Sequence, residues 1–351
     1  MTIDLTGGLD VSREFGFEEY PTTPGMRDAV NFWFCDDQGR FGMPRCVMEA
    51  VGPDWQNSGE ASINLAFPDG RVFSLREAHC KVPASNKGSD GRPTIFDAGA
   101  MRFRLLEPFR KWTASFKGQC IATTTLEQMH GTVGAKAVQS ESLSFDIEMD
   151  MAVPPWVPTR HLESGLRKIL TDEELVYTQE WGPCHRQEQL FRAKGRLSVG
   201  NQAYAFTGTG LRIRRQNIFK LAEFTGHVWQ SALFPSGKAF GTNNYAPRRD
   251  GKPSYSEAWI FDGKELLAAR VVRAPWLTQV TPSGDDVSLV LETKQGFHHI
   301  QGETFVSTFE PKGGSPMFSL FLQQANVRYR WGDEDSYGMM ERSTLRHKLG
   351  I

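Results

Sequence analysis

The chain is written in short runs of alternating apolar and polar residues. From Ala29 onward the runs are NFWFCDD, PRCVMEAV, ASINLAF and RVFSLREAHCKV, punctuated at Gln38-Gly39 and Pro68-Asp69-Gly70. Glycine supplies positive φ at such joints without steric cost, so the runs predict β-hairpins. Farther on, Met101, Phe103 and Leu105 alternate with Arg102, Arg104 and Leu106, and Leu143, Phe145, Ile147 and Met149 alternate with polar partners. A period of two is the mark of a strand with one buried face. QCIATTTLEQMHG continues the pattern as a Thr-rich strand. Pro154, Pro155 and Pro158 break it, and HLESGLRKILTDEE (161–174) then spaces Leu162, Leu166 and Leu170 as a helix would, interrupted by Gly165. Strand-like runs resume and continue almost to the end. The pattern predicts an all-β chain of two antiparallel barrels or sandwiches in tandem. The expected division is 1–187, including a helix-bearing linker, and 188–351.

The stretch from Phe224 to Phe261 carries the candidate chemistry. His227, Trp229, Ser231 and Leu233 share one strand face; Tyr255, Glu257, Trp259 and Phe261 share another. If both faces point inward, an imidazole, indoles, a phenol and a carboxyl group line one aromatic cavity. A carboxyl group buried there would titrate high and serve as a proton donor. Glu257, His227 and Tyr255 are therefore the catalytic candidates, and Trp229 and Trp259 the substrate-lining ones. Their strands are separated by the run 238–246 and stand about 9–10 Å apart. The plain alternative places Glu257 in solvent, with Ser256, Ala258 and Ile260 inward.

Composition narrows the field. A formal net charge of −1, with no long Lys/Arg cluster, argues against a nucleic-acid surface. The 24 Phe and 9 Trp suit a β-rich interior or a large apolar pocket. Five scattered cysteines without a CxxC fit reduced thiols, and the polar start MTIDLTGGLDVSREFGFEEY is no signal peptide, so a cytoplasmic protein is expected. No apolar run is long enough to span a bilayer. A homodimer is left open.

Other motifs stay bland. His298 and His299 are adjacent on a strand and face opposite ways, so no metal site is expected. Gly208-Thr209-Gly210 opens no helix, and no dinucleotide or other cofactor is implied. Arg212-Ile213-Arg214-Arg215 is expected on a solvated face, Asp97 in a turn, and Glu341-Arg342 as a framework ion pair.

Three stretches resemble the hydroxyneurosporene synthase (carotenoid 1,2-hydratase) and AttH-like superfamily of tandem lipocalin-like barrels. They are FDAGAMRFRLLEPFRKWTASFKG, GHVWQSALFPSGKAFG with DGKPSYSEAWIFDG and ARVVRAPWL, and the ending SYGMMERS. The carotenoid hydratases are associated with a His-x-Trp pair and a Tyr-x-Asp pair. His227-Val228-Trp229 matches the first, and Tyr255-Ser256-Glu257 matches the second with Glu for Asp. The resemblance implies two lipocalin-like barrels and a hydrophobic terpenoid, steroid or polyene-like ligand. Trp112 and Phe103, in the first stretch, join the substrate-lining candidates. The activity implied is cofactor-independent acid–base chemistry on an alkene, as a hydratase, dehydratase, isomerase or cyclase. Two alternatives stand beside it: a non-catalytic carrier of a lipophilic ligand, and a Diels–Alderase-like pericyclase.

Overall fold

The computed structural model describes residues 3–133, 138–158, 185–218, 225–247, 251, 254–310 and 320–350. The expected helix 161–174 and Cys184 lie outside these residues. The first sheet comprises β1 (Met26–Asp36), β2 (Gly42–Val51), β3 (Gly59–Ala66), β4 (Arg71–Cys80), β5 (Ile95–Ala98), β6 (Met101–Glu107), β7 (Lys111–Thr124), β8 (Gln139–Met151), β9 (His185–Val199) and β10 (Gln202–Ile218). Its order is β4-β3-β2-β1-β10-β9-β8-β7-β6-β5, and an added β4–β7 pairing bends it into a ring. The second sheet is a closed barrel of β11 (Gly226–Leu233), β12 (Ala239–Tyr245), β13 (Ser256–Phe261), β14 (Leu266–Arg273), β15 (Leu289–Thr293), β16 (Gly296–Phe309), β17 (Leu320–Trp331) and β18 (Glu334–Leu345). The all-β expectation holds, and both sheets are antiparallel. The Thr-rich run leaves the strand at Thr124, where Thr124 and Glu127 form a reciprocal capping box that starts the short helix Thr125–His130.

The division expected at 187/188 runs through β9. The prolines end β8, yet the chain returns to the same sheet, because β9 and β10 fill the gap between β8 and β1. The change of sheet falls between Ile218 and Gly226.

The interior of the first ring is apolar, with Phe32, Phe103, Trp112 and Phe145 in one cluster. A charged group is built into it. The turn Val11–Glu14 inserts Glu14, which is wholly buried, and its carboxylate accepts from Trp112 Nε1 at 2.9 Å, Phe109 N at 3.2 Å, Arg212 Nη2 at 2.9 Å and the Gln187 amide. Arg214 pairs with Asp28 at 2.5 Å. The solvated face expected for Arg212 and Arg214 is thus overturned: both side chains are fully buried, each against a carboxylate. Asp97, expected in a turn, is on β5 and pairs with Arg102 at 3.3 Å and with Arg104.

The second barrel is packed with Phe240, Ile260, Leu291, Val327, Tyr329 and Met340 among others. Every residue of β11 is buried. One face looks into the barrel, and the other is covered by the first sheet through a shared cluster of Trp33, Trp156, Leu211, Trp229, Trp259 and Met339. Hydrogen bonds lock the two sheets together, Thr209 Oγ1 to the Tyr337 carbonyl at 2.9 Å and Arg192 Nη2 to the Phe234 carbonyl at 3.1 Å.

Candidate active site

Antiparallel register lines up side chains directly across neighbouring strands. One row crosses β17, β18, β11, β12 and β13 as Gln324, Glu341, Trp229, Asn243 and Glu257. The next row carries Ser343, His227 and Tyr245, and the Tyr245 backbone N–H donates to the Tyr255 carbonyl at 2.8 Å. The faces of β11 and β13 singled out in the sequence therefore do lie on one side of the sheet. That side is the outside of the barrel, turned toward the first sheet.

Glu257 is 1% exposed. The Tyr255 hydroxyl donates to its Oε2, and Trp156 Nε1 donates to its Oε1 at 3.3 Å. Burial, and then the neighbouring Glu257, push the Tyr255 phenol well above its ordinary value, while Arg186 pulls the other way. Tyr255 therefore keeps its proton and acts as a donor.

His227 is buried in a separate group. Its backbone N–H donates to Ser343 Oγ at 3.2 Å; ring Nδ1 lies 2.7 Å from the same oxygen, and Nε2 lies 3.2 Å from Glu341 Oε1. Burial works to raise Glu341, but the His227 hydrogen bond and the Arg45 charge outweigh it and hold the carboxyl at about 2. Gln324 Nε2 donates to the second Glu341 oxygen at 2.6 Å. Arg342 points to the opposite face and pairs with Asp285, so the expected Glu341–Arg342 ion pair is not formed.

The first sheet supplies the cover. Trp229 Nε1 donates to Glu188 Oε2 at 3.1 Å, Glu188 pairs with Arg186 at 2.5 Å, and the Arg186 guanidinium stands 4.9 Å over the Trp229 ring. Trp33 meets Trp229 edge-on at 4.9 Å. Arg45 sits at φ 93°, a strained value for a residue with a Cβ, where β2 slips register between Gly42 and Cys46. The slip carries its guanidinium to 5.8 Å from the Trp33 ring and 3.8 Å from Glu341.

No family model and no curated protein matches the chain. Among solved structures, an AttH-like protein of Nitrosomonas europaea is similar over 93% of this chain and 96% of its own, with 12% identity and a TM-score of 0.55. Kievitone hydratase of Nectria haematococca is similar over 96% of this chain and 93% of its own, with 10% identity and a TM-score of 0.51. At such identities the likeness is one of fold, and it places the chain near AttH-like proteins at that level.

The sequence candidates divide accordingly. Glu257, Tyr255, Trp229 and Trp259 share the layer between the sheets, and His227 lies one row from Trp229. Trp259 lies across Gly241, where an added Cβ would stand 2.5 Å from the ring. Trp112 and Phe103 are elsewhere, in the core of the first ring, with the Trp112 N–H committed to Glu14. Clefts lined by described residues, around Asp28 and Asn86 and across Thr113, Glu148 and Lys194, do not border Glu257. Segments 159–184, beyond Trp156, and 248–250 and 252–253, between Tyr245 and Tyr255, lie outside the described residues. Trp156, Glu188, Asn243, Glu341 and Ser343 were missed in the sequence. Asn243 lies on the strand between the two motif strands, and Glu341 and Ser343 lie in the SYGMMERS stretch, where Glu341 reads as framework; Trp156 and Glu188 had no readable signal.

Proposed function

We propose that the chain is a cofactor-independent enzyme of the hydratase or dehydratase type, acting on an alkene of a hydrophobic molecule held between the two sheets. The observation that carries this reading is the buried carboxyl group of Glu257, which among the described residues accepts from Tyr255 on one oxygen and from Trp156 on the other. Glu257 delivers its proton to one alkene carbon, and the carbocation forms on the other. Donors aimed at both oxygens stabilise the carboxylate left behind. The electron-rich faces of Trp229 and Trp259 favour a nearby cation.

Water then adds to the cation and loses a proton. His227 is the acceptor for it: its Nε2–H donates to ionised Glu341, and Nδ1 takes the proton through the Ser343 hydroxyl, which passes its own proton to Nδ1 as it receives the one from water. His227 and Glu257 are on strands separated by β12, about 9–10 Å apart, a distance that the substrate carbon and the water have to bridge. The kievitone hydratase likeness agrees with this use of the fold and adds no residue to it.

The test is Glu257→Gln, which keeps shape and removes the transferable proton. Products from a panel of trisubstituted alkenes are followed by mass spectrometry, and ligand binding by tryptophan fluorescence. Proton transfer by a placed acid contributes about 10²–10⁴-fold, so turnover should fall by that factor while binding persists. Unchanged turnover would remove the acid role; binding without turnover in the unmodified protein would favour the carrier.

A further inference from the structure

Buried polar groups collect where the two sheets face each other. Asn31 Oδ1, Trp33 Nε1 and Arg45 Nε on the first sheet, and Ser231 Oγ and Asn243 Oδ1 on the barrel, have no hydrogen-bond partner among the described residues. Asn31 and Trp33 are each 1% exposed, Ser231 1% and Asn243 4%. Their direction follows from strand alternation. Trp33 belongs to the cluster between the sheets, and Asn31, two residues earlier on β1, shares its face. Ser231 is two residues from Trp229, and Asn243 lies directly between Trp229 and Glu257. The set holds both acceptors and donors, and it comes from both walls of the layer that contains the acid.

A hydrocarbon in that layer would leave these groups unpaired, and an unmade buried hydrogen bond is costly. We infer that the ligand is an oxygenated hydrophobic molecule. It presents a hydroxyl to the Asn243 and Asn31 carboxamides and a carbonyl or ether oxygen to Trp33 Nε1 and Arg45 Nε. This deepens the proposed function by naming the substrate class: an alkene on a skeleton that carries oxygen, in place of a bare polyene. The Asn243 contact sits one strand from Glu257, so it also sets which carbon of the skeleton lies over the acid. Asn243 is thus a specificity-determining residue.

The test is a panel of one carbon skeleton: β-farnesene with no oxygen, farnesol with a hydroxyl, and farnesal with a carbonyl. Affinities are measured by tryptophan quenching and native mass spectrometry on the full chain and on Asn243→Leu and Trp33→Phe. Farnesol and farnesal should each bind at least about 10-fold tighter than β-farnesene, the worth of one well-made buried hydrogen bond. Asn243→Leu should erase most of the farnesol advantage and spare β-farnesene; Trp33→Phe, which keeps a ring and loses the N–H, should do the same to farnesal. Circular dichroism confirms that each variant is folded, and either variant suffices if the other is not. Equal or tighter binding of β-farnesene overturns the inference. So do an oxygen preference untouched by both variants, a panel in which nothing binds, and a crystal structure in which ordered water alone meets these atoms with farnesol bound elsewhere. Glu257→Gln should leave the preference intact, so loss of the acid role and loss of the substrate class are separate results.

Discussion

Two buried carboxyl groups invite comparison, Glu14 inside the first ring and Glu257 between the sheets. Both accept from an indole N–H, Trp112 at 2.9 Å and Trp156 at 3.3 Å. Glu14 also takes a guanidinium, a side-chain amide and a backbone N–H, with Arg212 stacked 4.6 Å over Trp112. Its oxygens are fully committed to groups that fix the charge and anchor the N-terminal turn inside the core. Glu257 instead has a phenol as its second donor and Asn243 beside it with a carboxamide oxygen to spare. A carboxylate saturated by strong donors has nothing left for a substrate. Glu257, which accepts from a phenol and an indole in a layer that also holds unpaired polar groups, is placed where a substrate could meet it.

The sharpest way to break that contrast is to change one group at each site, the carboxyl itself at Glu257 and the guanidinium partner at Glu14. Glu257→Gln should cost about 10²–10⁴ in rate and change unfolding free energy by under about 1 kcal/mol, read by product formation and urea denaturation. Arg212→Met should leave the Glu14 charge uncompensated and destabilise by about 3–5 kcal/mol in the same denaturation experiment. If Glu257→Gln unfolds the protein and Arg212→Met does not, the roles assigned to the two sites are reversed.

Glu341 refines the picture through pH. Its carboxyl is held at about 2 in the fold against an ordinary 4.5, so its stabilisation is present above pH 4.5 and is lost as pH falls toward 2. The shift corresponds to about 3 kcal/mol. Glu341→Gln should lower stability near neutral pH by roughly that amount, and the difference from the unmodified chain should shrink as the acid titration passes through this window. A difference that is constant with pH would detach Glu341 from the ionised role. The smallest expected effect is at Gly241, where alanine would crowd the Trp259 ring. Overpacking of this kind costs about 1–3 kcal/mol, and thermal melting would register it.

The strands were legible because alternation and turn residues are local. So was the pairing of faces on β11 and β13, since strand parity survives whatever the barrel does. Which side of the barrel those faces occupy was not legible. Both faces of β11 are buried, one by its own barrel and one by the first sheet, and alternation cannot tell one apolar environment from another. The partners of Glu257 and Trp229 were hidden for a related reason. Trp156 follows the proline break and Glu188 lies on β9, and only the return of β9 into the first sheet brings them to the barrel. The arginines of β10 misled for want of Glu14 and Asp28, which come from far earlier in the chain. Long-range pairing of charges leaves no local trace.

Solvent deuterium exchange tests the acid role most directly. An alkene that binds is incubated with the protein in heavy water, and label at the alkene carbons is counted by mass spectrometry. The unmodified chain should catalyse incorporation, Glu257→Gln should lose it, and Glu341→Gln should only slow it, because that carboxylate works on the water side of the reaction. Incorporation at full rate by Glu257→Gln would contradict the claim that this carboxyl group carries the proton.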